Sequence, residues 1–176
     1  MPSPAIACIG VIGRYDNPLR ISLFPPHEDE MLEMSFLLNS CLDIFEIRQN
    51  NKTIEQDLGL LQAIDERLAT YGWLTNTGIK FVVVVDMAGR PSAPDDDDRK
   101  RAAPVLGLRD SDLKPAFRAL QIAYVRLLQN PFYSPDDQTP MALANTEGRS
   151  AEITSSKFLK EVQRIGRTWS PGVAAL

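Results

Sequence analysis

The sequence predicts a mixed α/β protein of the α+β type, a five-stranded antiparallel sheet with helices on both of its faces. Three observations point there. The run FVVVVD at 81–86 holds four consecutive valines, which suits a central strand covered on both sides rather than an edge. Shorter strand-like runs, broken by turn residues, lie on either side of it along the chain. Three longer stretches instead repeat apolar residues at helical spacing. The resulting order is β-β-α-β-β-β-α-α, and 176 residues suffice for a single domain, 1–176, with its own core.

Each element follows from its residues. AIACIGVIG at 5–13 is apolar, with β-branched and small residues, and reads as a buried first strand. RYDNP turns the chain, because Asp16 and Asn17 tolerate turn geometry and Pro18 fixes the exit. LRISLF at 19–24 alternates apolar with polar, so the first two strands form a hairpin with one side half exposed. PPHEDE opens a helix whose first acidic residues suit the helix dipole. That helix covers about 28–48, with Met31, Met34, Leu38, Cys41, Leu42 and Phe45 on one stripe. LGLLQAID and ERLATYGWLT are two strands around a turn at Asp65–Glu66, and NTG is a tight turn into the central strand. Composition then changes abruptly: residues 88–108, with Pro, Gly and the run DDDDRKR, read as a flexible insertion. A helix from Asp110 to about Asn130 follows, with Asp110 or Ser111 as cap. Its stripe is Leu113, Ala116, Phe117, Leu120, Tyr124, Leu127 and Leu128, and Ile122 and Val125 lie on its other side. A second flexible insertion, 136–152, leads to a last helix at about 153–169. There Phe158, Val162, Ile165 and Trp169 face away from Lys157, Lys160, Arg164 and Arg167.

Composition and motifs exclude most chemistry. A net charge of −4 gives nucleic acid no general attraction. No apolar run approaches the ~18 residues that span a bilayer. The N-terminus reads as a strand rather than a signal peptide, and the C-terminus SPGVAAL has no lipidation cysteine. Cys8 and Cys41 are expected as reduced thiols. His27, the only histidine, sits in FPPHEDE and is expected to be a solvated residue near a helix start rather than a catalytic base. Two cysteines and that histidine lack zinc-ligand spacing, and Asp95–Asp98 lack the alternation and glycine of a calcium loop. Neither glycine-rich phosphate loop is present, and Asp65 and Glu66 read as a solvated turn. No enzyme activity, cofactor or metal is therefore expected. The basic side of the last helix reads as its solvated side, with contact to acidic lipid as the rival explanation.

What stands out is surplus apolar surface. A helix lying on a sheet needs one apolar stripe, yet the first long helix has a second: Phe36, Leu37, Ser40, Ile44 and Ile47. Asp43 lies about 20° from Phe36 and about 40° from Ile47 in helical projection, where a carboxylate could orient a partner's basic group or backbone N–H. In QNPFYSP, Pro131 ends the preceding helix, while Phe132 and Tyr133 are expected to fold back over its last turn as a structural anchor. Pro135 stiffens the exit.

GRYDNP (13–18), SCLDIF (40–45), YGWLTNTGIKFVVVVD (71–86), QNPFYSP (129–135) and SSKFLKEVQ (155–163) occur in an order that resembles the sedlin family. These are small longin-fold subunits of the trafficking protein particle (TRAPP) complex, and the fourth-to-fifth-strand segment is nearer to the subunit 2-like branch. The resemblance implies a longin (SNARE-like) fold with one helix on one sheet face and two on the other. It implies a non-catalytic subunit of a vesicle-tethering complex that serves Rab GTPase exchange in ER–Golgi and Golgi transport. It also implies a cytoplasmic location, peripheral to those membranes through the complex, with other small TRAPP subunits as direct partners. Asp43 matches the aspartate of the family's LD motif, which lies where small subunits meet. Residues 88–108 and much of 136–152 depart from the family pattern. The alternative is another longin-type trafficking regulator, binding SNAREs or adaptor coats.

Overall fold

The computed structural model describes residues 3–51, 56–89, 108–134, 141, 144 and 152–176. Most of both expected insertions, 88–108 and 136–152, and Pro135 lie outside the described residues. Five strands form one antiparallel sheet: β1 (Ala5–Ile12), β2 (Pro18–Leu23), β3 (Asp57–Ala63), β4 (Leu68–Leu74) and β5 (Lys80–Asp86). Their order across the sheet is β2-β1-β5-β4-β3, so the valine run is central, paired with β1 on one side and β4 on the other. The β1–β2 turn closes with Gly13 N–H donating to the Asn17 carbonyl at 2.7 Å. Asp16 takes the left-handed conformation there (φ 62°), which aspartate tolerates better than most residues.

Helix α1 (Met31–Asn50) covers one face, and α2 (Lys114–Leu128) and α3 (Ser156–Thr168) cover the other, the longin-like arrangement. Alternation along β5 serves both layers. Val82 and Val84 meet Met34, Leu38, Cys41 and Phe45 of α1, whereas Phe81, Val83 and Val85 join the α2–α3 side. In β1 the partners shift between Ile6 and Cys8, so Ala7 is an extra residue and both Ala7 and Cys8 join the α1 side. Aromatic contacts tie the second layer together: Trp73 stacks on Phe117 at 5.6 Å, and Tyr124 meets Phe81 and Phe158 edge-on at 6.0 and 6.4 Å. Both outer strands are engaged. The Leu19 carbonyl of β2 accepts the Ile153 N–H at 2.8 Å, and Arg48 of α1 donates to the Leu58 and Leu60 carbonyls of β3.

Several expectations need correction. The first helix begins at Met31, not near 28, because residues 24–30 are used in two successive turns, His27 N–H to the Phe24 carbonyl and Glu30 N–H to the His27 carbonyl. Met31 is half exposed and Leu42 only half-buried, since they lie about 50° and 70° from the midline of the buried stripe. Leu128 lies about 100° off the midline of its own stripe and is exposed. Neither Asp110 nor Ser111 caps the second helix. Residues Asp110–Leu113 instead form a tight turn of 3₁₀ helix, in which the Asp112 carboxylate accepts the Arg109 N–H at 3.0 Å. The last helix is shorter than expected: Ile153 and Trp169 flank it, both buried, and the Trp169 Nε1–H donates to the Asp112 carbonyl at 3.0 Å. His27 is 3% exposed, not solvated. Two carboxylates receive its ring, so burial does not leave it unsatisfied.

Candidate docking surface on the first helix

The core fixes which side of α1 faces out. With Met34, Leu38, Cys41 and Phe45 turned to the sheet, the opposite side presents Phe36 at 66% and Ile47 at 61% exposure. Leu37 and Ile44 lie half-buried on the flank toward β3, and Ser40 and Asp43 are exposed, Ser40 on the β3 side of Phe36 and Asp43 on the other. All six residues singled out from the sequence thus share one surface. Leu32, 72% exposed, extends it and was not among them. It sits one turn before Phe36, about 40° away in projection, so continuing the outward stripe by four residues would have found it.

The polar groups on this surface differ in their occupancy. Ser40 Oγ–H donates back to the Leu37 carbonyl at 2.8 Å, and Gln62 Oε1 of β3 stands 3.4 Å away. Ser40 therefore lies where the helix surface meets the β3 surface, its one proton serving the nearer acceptor. Asp43 is exposed and has no hydrogen bond or ion pair among the described residues. A solvated carboxylate beside exposed Phe36 and Ile47 can accept a partner's Arg, Lys or N–H group while the apolar side chains are covered.

A buried charge cluster holds the start of the same helix. His27 Nε2 lies 2.7 Å from Asp86 Oδ2, and Nδ1 lies 2.5 Å from Glu30 Oε2. Arg67 donates to Asp86 from Nε at 2.9 Å and from Nη2 at 2.7 Å, and Ala88 N–H donates to it at 2.8 Å. Burial would lower the His27 pKa, but the hydrogen bonds and charges of Glu30 and Asp86 outweigh it and hold it above the ordinary value. Burial would raise that of Asp86, but Arg67, His27 and the Ala88 N–H bring it down to about 2. Nothing in the local sequence marked these residues as partners: Asp86 is 59 positions from His27.

The expected anchor after α2 is only partly realised. The helix ends at Leu128, and Pro131 is exposed in the following turn. Tyr133 packs against the α2–α3 core, but Phe132 is 95% exposed and folds back over nothing, because its N–H is held by the Asn130 side chain in the turn. A groove of about 1080 Å³ between the end of α2 and the start of α3 is lined by residues such as Arg126, Asn130, Ser155, Lys157 and Glu161. The histidine that could serve as a base there lies in the cluster at the start of α1 instead. Among the described residues no group of acidic, histidine or cysteine side chains is arranged to hold a metal ion, and no helix is long and apolar enough to cross a membrane.

A family model described as sedlin matches residues 11–168. A trafficking protein particle complex subunit 2-like protein of Dictyostelium discoideum is 32% identical over 165 residues, which cover 91% of this chain and 95% of that protein. The proteins of the same name from Rattus norvegicus and Bos taurus are 30% and 29% identical over 137 residues, covering 74% of this chain and 85% of theirs.

Proposed function

The chain belongs to the sedlin family, and from that premise we propose that it is a non-catalytic adaptor subunit of a TRAPP vesicle-tethering complex. The outward side of α1 is its docking surface, and another small subunit of the complex is the direct partner. The observation that carries this is the set of exposed apolar residues Leu32, Phe36 and Ile47 on one side of α1, with Asp43, unpaired among the described residues, between Phe36 and Ile47, on a helix whose core stripe lies wholly on the other side. In this reading the chain is one longin-like domain. It contributes no reacting group: Rab GTPase exchange belongs to the assembled complex, which acts in ER–Golgi and Golgi transport and holds the chain at the membrane periphery. Phe36, Leu37, Ser40, Asp43, Ile44 and Ile47 make the contact.

Affinity purification of the tagged full chain from its native cytosol should recover TRAPP subunits. Phe36→Ser combined with Asp43→Arg should cut that recovery at least tenfold, since a buried aromatic anchor is commonly worth about 2 kcal/mol or more at an interface. Both side chains are exposed, so the double variant should keep the unfolding midpoint of the wild-type chain. Undiminished recovery by the folded double variant would refute α1 as the surface. Recovery of SNAREs or coat adaptors in place of TRAPP subunits would refute the assignment to the complex.

A further inference from the structure

We propose that His27 is a proton-operated clamp on the first helix: protonated at both ring nitrogens it ties Glu30, just before α1, to Asp86 at the end of β5, and on losing one proton it releases Glu30. The reasoning begins with donors and acceptors. Glu30 Oε2 lies 2.5 Å from Nδ1 and Asp86 Oδ2 lies 2.7 Å from Nε2. Ionised carboxylates only accept, and a neutral imidazole has one N–H to give. Both contacts are satisfied together only by the imidazolium. Once the ring is neutral, one carboxylate faces a bare nitrogen lone pair and is repelled.

Which carboxylate leaves is decided by what else holds it. Asp86 is buried and also accepts from Arg67 and from the Ala88 N–H. The Glu30 carboxylate is 42% exposed and has no second hydrogen bond or contact ion pair among the described residues, only the attraction of Arg67 from beyond ion-pair distance, so water takes it up. The neutral ring therefore keeps Nε2–H on Asp86. The charged groups around it are Glu30 from its own turn, Asp86 from β5, and Arg67 from β4, which feels Asp86 most and the charges of Glu30 and Asp65 after it. Helices α2 and α3 give His27 no hydrogen-bonding or ionic partner among the described residues.

Release reaches the helix directly. The Glu30 carbonyl accepts the Met34 N–H at 3.0 Å, and the Glu30 N–H donates to the His27 carbonyl at 3.1 Å, so Glu30 is the link between the clamp and the first turn of α1. Losing the clamp loosens that turn, which carries Leu32. This inference rests on the fold alone and does not need the docking role of α1.

The sole histidine gives an unambiguous probe. Nitrogen NMR of the ring across pH 5–9 should show both N–H groups at low pH, and Nε2–H with a bare Nδ1 above the transition. Amide exchange at residues 34–38, corrected for intrinsic base catalysis, should rise at least about threefold across that transition, while β4 and β5 stay protected. In Glu30→Gln the side-chain amide can donate to the bare Nδ1, so the transition should move to lower pH and the exchange step should vanish. A neutral ring protonated at Nδ1, no exchange step in the wild-type chain, or the same step in Glu30→Gln would each overturn the proposal.

Discussion

Asp86→Ala removes the acceptor around which the buried charge cluster is organised. The wild-type carboxylate takes two nitrogens of Arg67, the Nε2 of His27 and the Ala88 N–H. Without it His27 is left in a buried site with only Glu30 to balance its charge, beside a void where the carboxylate stood. Arg67 is half exposed and can turn to water, so its share of the loss is small. Breaking a buried pair from one side costs about 3–5 kcal/mol. The fall of the Asp86 pKa from 3.8 to about 2 corresponds to roughly 2 kcal/mol, the same order. We expect a loss of about 3 kcal/mol. Urea unfolding followed by the fluorescence of buried Trp73 and Trp169 should show the midpoint falling by about 1–3 M with an unchanged slope. The pH dependence has a defined sign. A depressed carboxylate stabilises the fold above its ordinary value of 3.8 and stops doing so as pH falls toward about 2. The wild-type chain should therefore lose stability across that acid range, and Asp86→Ala should lose less there. A variant within about 1 kcal/mol of wild type would mean that the cluster holds nothing in place.

Two further outcomes follow from packing. A Cβ on Gly166 of α3 would stand 2.1 Å from the Phe24 ring, which is fully buried and cannot retreat. Although alanine favours helix by about 1 kcal/mol over glycine, Gly166→Ala should destabilise by roughly 1–3 kcal/mol in the same urea assay, and a neutral or stabilising result would contradict the packing. Cys8 and Cys41 are buried, and burial raises both thiol pKa values, that of Cys8 to about 12. A thiol reagent at neutral pH should modify neither in the native chain and both in denaturant; rapid native labelling would show that the α1 layer opens.

The sheet and its two layers were legible because they obey short-range rules. The valine run demanded covers on both faces, and the spacing of Met34, Leu38, Cys41 and Phe45 placed α1 on one of them. The structure leaves Phe36, Ser40, Asp43 and Ile47 exposed, whereas Leu37 and Ile44 are half-buried on the flank toward β3. What sequence reasoning missed is long-range or depends on turns. His27 looked solvated because FPPHEDE is polar, and only the fold brings Asp86 to it. Phe132 looked like an anchor because aromatic rings are usually buried, but the Asn130 side chain fixes the turn so that the ring points to water. The start of α1 slipped by three residues because its acidic approach, Glu28 to Glu30, serves the turn and the clamp rather than the helix.

The contrast among the helices shows that the apolar outer side of α1 is not a requirement of the fold. Helices α1, α2 and α3 lie on the same sheet, and each buries one stripe. On α3 the exposed positions include Lys157, Lys160, Arg164 and Arg167, the composition of a helix whose outer side meets only water. On α2 the exposed Ile122, Val125 and Leu128 step round the helix by about 60° each rather than lining up, and Arg118 and Arg126 flank them. Among α1, α2 and α3, α1 alone has three exposed large apolar residues within about 60° of one another in projection, with Asp43 the one ionisable group of the helix within about 20° of Phe36. Packing against the sheet gains nothing from Phe36 or Ile47, and exposed side chains of that size on one side of a helix favour association. On the proposed docking role their energy is released when a second surface covers α1, so the most informative comparison is between the free chain, where Phe36→Ser should change nothing, and the chain with its partner, where the same substitution should be costly.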